Sequence, residues 1–251
     1  MSALETRHLA DLRFQDVTRA LRALSSAYVE RRAMLDHSGV LSGAGKRAAF
    51  ALFYAPLHYL LVRHVVRELG ATTGAPALVD LGCGTGAAGA AWAAACATPP
   101  YVTGIDRNRW VLAEASRTYR EFGLQARLRQ ADISAVKLPT GSPMVLAAFA
   151  LNELPDDARD ALLRRLLERV TAGDQVLIVE PLAGPATRWW RRWRERFETA
   201  GGRSDEWRFP VELPEIVAKL DRAAGLNHRE ITGRTFYCGL RIADCGSKNP
   251  Q

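Results

Sequence analysis

Three glycines set between two carboxylates carry the most legible chemistry of this chain. The run Ala77-Leu78-Val79-Asp80-Leu81-Gly82-Cys83-Gly84-Thr85-Gly86 reads as a buried strand that breaks into a glycine turn, with a helix following to about Ala97. Glycine has no side chain in the way, so such a turn lets backbone approach a ligand closely. A second carboxylate, Asp106, ends the next strand-like run, Tyr101-Val102-Thr103-Gly104-Ile105, 20 residues past Gly86. That spacing suits a carboxylate accepting hydrogen bonds from ribose hydroxyls. The pattern predicts an adenosine-containing ligand on an α/β sheet.

Two ligands fit. Gly84-x-Gly86-x-x-Gly89 matches the dinucleotide pattern, which points to a nicotinamide oxidoreductase. The glycines begin earlier, however, at Gly82, and Asp80 lies just ahead of them. A carboxylate is poorly placed beside a pyrophosphate and suits a ligand bearing an ammonium and a sulfonium. Asp-x-Gly-x-Gly-x-Gly resembles the first motif of class I S-adenosylmethionine (SAM) methyltransferases. The resemblance continues through Asp106, through Gln130-Ala131-Asp132-Ile133 after a third strand, and through Met144 to Pro155 as a fourth. It implies that Gly82, Gly84 and Gly86, with Cys83 between them, approach the methionine part of SAM, and that Asp80 orders its amino end. Asp106 would hold the ribose. Arg107 and Asn108 would lie beside adenine, and Asp132 and Ile133 would recognise it, the carboxylate taking the exocyclic amine and Ile133 covering a ring face.

The run Ala150-Leu151-Asn152-Glu153-Leu154-Pro155, a helix, then Gln175 to Pro181 resembles more narrowly a methyltransferase family associated with the small ribosomal subunit. That similarity covers about residues 76 to 200. The family's cysteine cluster and Pro-His segment are missing here, so no iron–sulfur cluster is carried over, and only a lean toward rRNA. Asn152 and Glu153 leave the fourth strand at its carboxyl end, near the reactive methyl. Glu153 is a candidate to orient or deprotonate an acceptor, although a residue ahead of Pro155 can also simply start a helix. Tyr54 and His58, four apart on one helical face, are candidates to roof the SAM pocket or, for His58, to act as an acceptor-side base. His64 is considered with them. Each can also be a packing residue.

These residues need a scaffold, which the periodicity supplies. Strands are expected near 77–81, 101–106, 125–130, 144–150 and 175–180, with helices near 86–97, 108–122, 155–171 and 185–200. The alternation predicts a Rossmann-like, mostly parallel sheet with helices on both faces. A short helix from Leu213 to Ala224 and an antiparallel hairpin, His228–Thr232 and Thr235–Ile242 turning at Gly233-Arg234, would close its edge. Residues 1–70 read as a helical extension forming a lid over the acceptor. In it Phe14, Val17, Leu21, Leu24 and Tyr28 make one apolar face, largely clear of Arg13, Arg19, Arg22, Arg31 and Arg32. A loop at Gly39–Gly43, Ser42 as a helix N-cap and a bend at Pro56 are expected. Gly70, Gly74 and Pro76 mark a boundary to a catalytic domain over 71–246, with 247–251 a frayed tail. Trp189, Trp193 and Phe197 share one face of a basic helix, so packing with solvated arginines is favoured over an RNA surface.

The chain has 251 residues, 48% hydrophobic and 24% charged, with a net charge of +7 and a pI near 9.6. That balance permits a polyanionic partner without requiring one. The N-terminus lacks the apolar core of a secretory signal, and the segment Ala48–Val62 reads as too short to span a bilayer. Cys83, Cys96, Cys238 and Cys245 form no C-x-x-C pair, so no metal or disulfide is expected, and a cytoplasmic setting follows. The reading is a SAM-dependent methyltransferase acting on rRNA or, nearly as well, on a small metabolite. The rivals are a SAM-binding ribosome-assembly factor without turnover and, more remotely, an NAD-dependent oxidoreductase.

Overall fold

The computed structural model describes residues 1–30, 41–72, 75–139, 141, 143–182 and 187–239. Arg31, Arg32, Gly39, Gly74, Cys245 and the tail lie outside them, as do the side chains of Tyr28 and Arg188. Short runs alternate with helices and become strands, β1 Ala77–Leu81, β2 Tyr101–Asp106, β3 Ala126–Gln130, β4 Met144–Ala148 and β5 Gln175–Glu180, all largely apolar except the arginine-bearing β3. These five pair in parallel, which requires a crossover between strands. The sheet has seven strands in the order β3-β2-β1-β4-β5-β7-β6, with β6 at Arg203–Pro210 and β7 at Glu230–Cys238. The chain runs outward from β1 to β3 and returns to β4 beside β1. Open sheets bind ligands at such a reversal, outside the carboxyl ends of the strands.

Both faces of the central strands are covered. In β4, Met144, Leu146 and Ala148 join one apolar layer while Val145 and Ala147 join the other. The first layer is built with α1 Ser2–His8, α2 Phe14–Glu30, α3 Ala44–Ala49, α4 Ala55–Glu68, α5 Ala87–Ala93, α6 Arg109–Glu121 and the later α9 Glu215–Ala224. The second rests on α7 Asp156–Thr171 and α8 Thr187–Thr199. In α8, Trp189, Trp193 and Phe197 are buried as their shared face requires. Trp190 is buried too, stacked on Phe236 at 3.8 Å, while the described arginines face solvent.

Several expectations change. No hairpin turns at Gly233-Arg234, because β7 runs straight through both and pairs antiparallel with β5 and β6. Gly233 is small because a Cβ there would lie 2.6 Å from Leu61 Cδ2, and Arg234 Nε donates to Pro181 O at 2.9 Å. The partner strand, β6, is a charged edge that hid its strand character. Ser42 does not cap α3; Gly43, at φ 86°, holds that position without a side-chain bond. Val17, Leu21 and Leu24 are buried, whereas Phe14 is exposed. Pro56 has no N–H to donate, and just before it the helix widens into a π turn over Phe50–Tyr54. The continuous run Ala44–Glu68 is thus 25 residues, long and apolar enough to cross a membrane, and 61% of its most apolar window is buried within the protein.

Helix α5 sits against β1 because Gly89 faces Asp80. Asp80 is 1% exposed; its Oδ2 accepts from the Tyr119 hydroxyl at 2.9 Å, and the Gly89 N–H also bonds it. Burial raises the Asp80 pKa from 3.8 to about 7, against the lowering effect of the Tyr119 bond and with a further push from Asp106. Two outcomes follow. A Cβ at Gly89 would stand 2.8 Å from Tyr119 Oη and closer still to Asp80 Oδ2. Gly89→Ala should therefore lower stability by about 1–3 kcal/mol in urea unfolding; an unchanged midpoint would contradict the contact. Because folding raises the Asp80 pKa, its contribution is full below the unfolded value and lost as pH rises from 3.8 to about 7. Asp80→Asn should flatten the wild-type stability decline over that interval, by up to roughly 4 kcal/mol. Parallel pH curves would refute the assignment.

Candidate functional site

A cavity of about 410 Å³ opens at the carboxyl ends of β1 and β4, between the sheet rim and the N-terminal helices. Its floor is the glycine turn. Gly82 and Cys83 both donate backbone N–H groups to Ile105 O, at 2.8 and 3.0 Å. Gly84 N donates to Asp106 Oδ2 at 3.1 Å, and Asn108 N to Asp106 Oδ1 at 2.8 Å. The second carboxylate therefore clamps the turn while retaining lone pairs toward the cavity it lines. Gly82, Gly84 and Gly86 all have positive φ. They do different things. A Cβ on Gly82 would meet Ala150 Cβ at 2.5 Å, whereas one on Gly84 would meet only Phe50 Cζ at 4.0 Å, so Gly84 presents bare backbone to open space. Gly86 starts α5 and backs onto Ala115 and Tyr119, outside the cavity lining.

Asp80 is likewise absent from the lining. Expected at the ligand's amino end, it lies beneath the turn, with Oδ2 on Tyr119 where α5 packs. Cys83 lines the cavity with its thiol pushed well up by burial, so it is a neutral wall group. A smaller recess of about 40 Å³ brings Arg107, Asp132 and Ile133 together with Gly82, Asp106 and Glu153. Asp132 Oδ1 accepts from Ser134 N at 2.8 Å and Ser134 Oγ at 2.7 Å, and those bonds lower its pKa.

At the end of β4, Phe149 adopts φ 58°, a left-handed conformation that is strained for a residue with a side chain. The turn aims its ring at His58, which stacks on it at 3.8 Å and 13°. His58 is half-buried, its exposed part toward the cavity, and desolvation pushes its pKa down to about 3. It stays neutral at ordinary pH, with its ring stacked against Phe149 in the cavity wall. Tyr54 lines the same wall. His64 stacks on Phe209 at 3.7 Å and does not line the cavity.

Asn152 and Glu153 both reach the cavity. The Asn152 amide is engaged at both ends, however: Nδ2 donates to Glu180 Oε2 at 2.6 Å, and Oδ1 accepts from Trp189 Nε1 at 2.9 Å. It positions the wall rather than offering an open catalytic group. Glu180, fully buried at the end of β5, also accepts from Leu151 N at 2.8 Å. Sequence reasoning placed Glu180 on its strand without giving it a role; its place at a strand's carboxyl end was the available signal. Phe149 and the pair Asp221–His228 were missed as well. The latter lie seven apart on a helix end and the loop after it, with no motif to mark them. Carboxylates of Asp106, Glu153, Glu180 and Glu230 line the cavity, and no Lys or Arg does among the described residues. That polarity suits a cationic ligand.

The methyltransferase domain family matches residues 78–173. The chain is 27% identical over 128 residues to carboxy-S-adenosyl-L-methionine synthase of Dichelobacter nodosus, covering 51% of this chain and 53% of that protein. It thus spans about half the length of that curated relative. Among solved structures, mitomycin 7-O-methyltransferase MmcR aligns over 90% of this chain and 67% of its own, at 15% identity and a TM-score of 0.53. A SAM-dependent methyltransferase from Aquifex aeolicus aligns over 73% and 93%, at 17% identity and 0.48. At 15% identity the likeness to MmcR is one of fold. The open face of Gly84, the clamped Asp106 and the recess against Ile133 fit SAM. Residues 78–173 thus match a methyltransferase domain, and they lie within a seven-stranded, mostly parallel sheet.

Proposed function

We propose that the chain transfers the methyl group of SAM to a small, largely apolar acceptor. SAM supplies, when bound, a methyl carbon made electrophilic by the sulfonium. The bare backbone at Gly84 and the carboxylate of Asp106 hold the cofactor's methionine and ribose parts. Arg107, Asp132 and Ile133 take its adenine in the small recess. Glu180, through Leu151 N and Asn152, fixes the end of β4, and with it the wall the acceptor meets. Ser25 of α2 and residues between Leu41 and Leu61 form the roof. Holding acceptor and methyl carbon in line, away from water, can supply about 7–11 kcal/mol of the barrier.

One observation carries the choice of acceptor. Beyond the glycine turn the cavity is walled by Phe50, Phe53, Tyr54, Leu57, Leu226 and Ile231, and among the described residues no cation lines it. A nucleic acid would call for Lys or Arg along its phosphates. The basic helix α8 has its aromatic rings in the core, and two of its arginines are ion-paired, Arg192 with Asp160 on α7 and Arg194 with Glu198, while Arg196 lies over the Trp193 ring. These points favour the small-molecule reading over rRNA. A carboxylated cofactor, as in the name of the Dichelobacter relative, would also want a cation that the described lining lacks.

Two measurements test this reading. Asp106→Ala should weaken SAM binding in calorimetry by about 10- to 100-fold, the loss of a charged hydrogen bond; unchanged affinity would remove Asp106 from the site. Turnover on the acceptor should change less than about threefold between 50 and 200 mM salt. A fall of roughly a thousandfold over that range would instead indicate several phosphate contacts and an RNA substrate.

A further inference from the structure

One polar pair in the acceptor half of the cavity is not absorbed by cofactor binding. Helix α9 closes on Gly225, at φ 76°, with Leu226 N donating to Asp221 O at 2.9 Å. This cap returns the chain so that His228 meets the side chain of Asp221. His228 N donates to Asp221 Oδ2 at 3.0 Å, and Nδ1 of the ring lies 2.5 Å from Asp221 Oδ1. Asp221 is 5% exposed, while His228 lines the cavity that Gly84 and Phe149 also line, edge-on to Phe53. A carboxylate at Nδ1 fixes the proton on that nitrogen and leaves the Nε2 lone pair for whatever the cavity holds. None of the other described histidines is so placed. His58 is stacked on Phe149, His64 lies outside the cavity, and His8 bonds Glu114.

We infer that Asp221 and His228 form the general-base dyad of the acceptor site, and that the acceptor carries an ionisable aromatic or enolic hydroxyl. This rests on the small-acceptor reading above. An acceptor oxygen that keeps its proton is a weak nucleophile, and a neutral imidazole within reach removes it as the new bond forms. The O–H bond breaks as the O–CH₃ bond forms. The carbon–sulfur bond breaks with its electron pair returning to sulfur, which becomes a neutral thioether. The proton passes to His228 Nε2, and the imidazolium is stabilised through Nδ1–H by the Asp221 carboxylate before releasing the proton to water. The aromatic walls, Phe50, Phe53 and Phe149, would hold the acceptor ring against the base.

The test uses the full chain with radiolabelled-methyl SAM and a set of probes: catechol, hydroquinone and 1-naphthol, with 1-naphthylamine as a matched amine. The wild type should methylate at least one hydroxyl probe. His228→Gln should lower kcat by 100-fold or more, with KM and SAM affinity held within threefold, and Asp221→Asn should lower it by about tenfold. Nitrogen-15 NMR should show His228 protonated at Nδ1 in the wild type and shifted from that tautomer in Asp221→Asn. Thermal melts identify any variant that fails to fold, and if His228→Gln is lost that way, Asp221→Asn and the tautomer decide. Unchanged turnover in a folded variant, methylation of the amine alone, no hydroxyl probe accepted by a chain that binds SAM, or a wild-type ring protonated at Nε2 would each overturn the dyad. Absence of SAM binding in calorimetry would instead overturn the methyltransferase reading beneath it.

Discussion

Two backbone N–H groups, those of Gly82 and Cys83, converge on the single carbonyl of Ile105, and the next residue's N–H binds the carboxylate of Asp106. That small set of bonds ties the end of β1 to the end of β2. It holds three consecutive turn positions in a conformation that only glycine adopts without strain at Gly82 and Gly84. The same carboxylate receives Asn108 N, and Asn108 in turn accepts from Trp110 N to start α6. Sheet rim, turn and flanking helix are thus one hydrogen-bonded unit, and the cavity floor has its shape before any ligand arrives. Underneath, Asp80, Tyr119 and Gly89 let α5 lie against β1 without an intervening side chain. The carboxylate ahead of the turn packs beneath α5, and the one after it lines the cavity.

This division explains what could and could not be read from the residues. Four of the five parallel strands were legible as short apolar runs bounded by turn residues, the signature buried parallel strands leave, whereas β3 at the sheet edge alternates arginine with apolar residues. The turn and Asp106 were legible because their spacing is fixed by backbone geometry. Asp132 and Ile133 share a recess with Arg107 because a strand end determines which side chains reach it. Asp80 and Gly86 were assigned to the ligand because sequence gives adjacency but not direction. Alternation along β1 turns Asp80 under α5, and Gly86 faces Tyr119.

The antiparallel edge was misread for a different reason. Gly233-Arg234 has turn composition, yet Gly233 is small to admit Leu61 and Arg234 reaches Pro181 O. Its partner β6 alternates charged and aromatic residues, which suits an exposed edge and masks the strand period. The acceptor wall was the least legible part. Phe149, His58, Glu180 and His228 come from four separate places in the chain, and only tertiary packing brings them round one cavity. His58 shows the consequence: its stacking on Phe149, and the burial that pushes it down to about 3, come from a partner 91 residues away.

The most direct test of the central claim is a crystal structure with S-adenosylhomocysteine bound. The account predicts the ribose hydroxyls on the Asp106 carboxylate, the adenine in the recess against Ile133, and the amino acid end over Gly84 with no contact to Asp80. A ligand lying elsewhere in the cavity with Asp106 bare, or one reaching Asp80 directly, would contradict it.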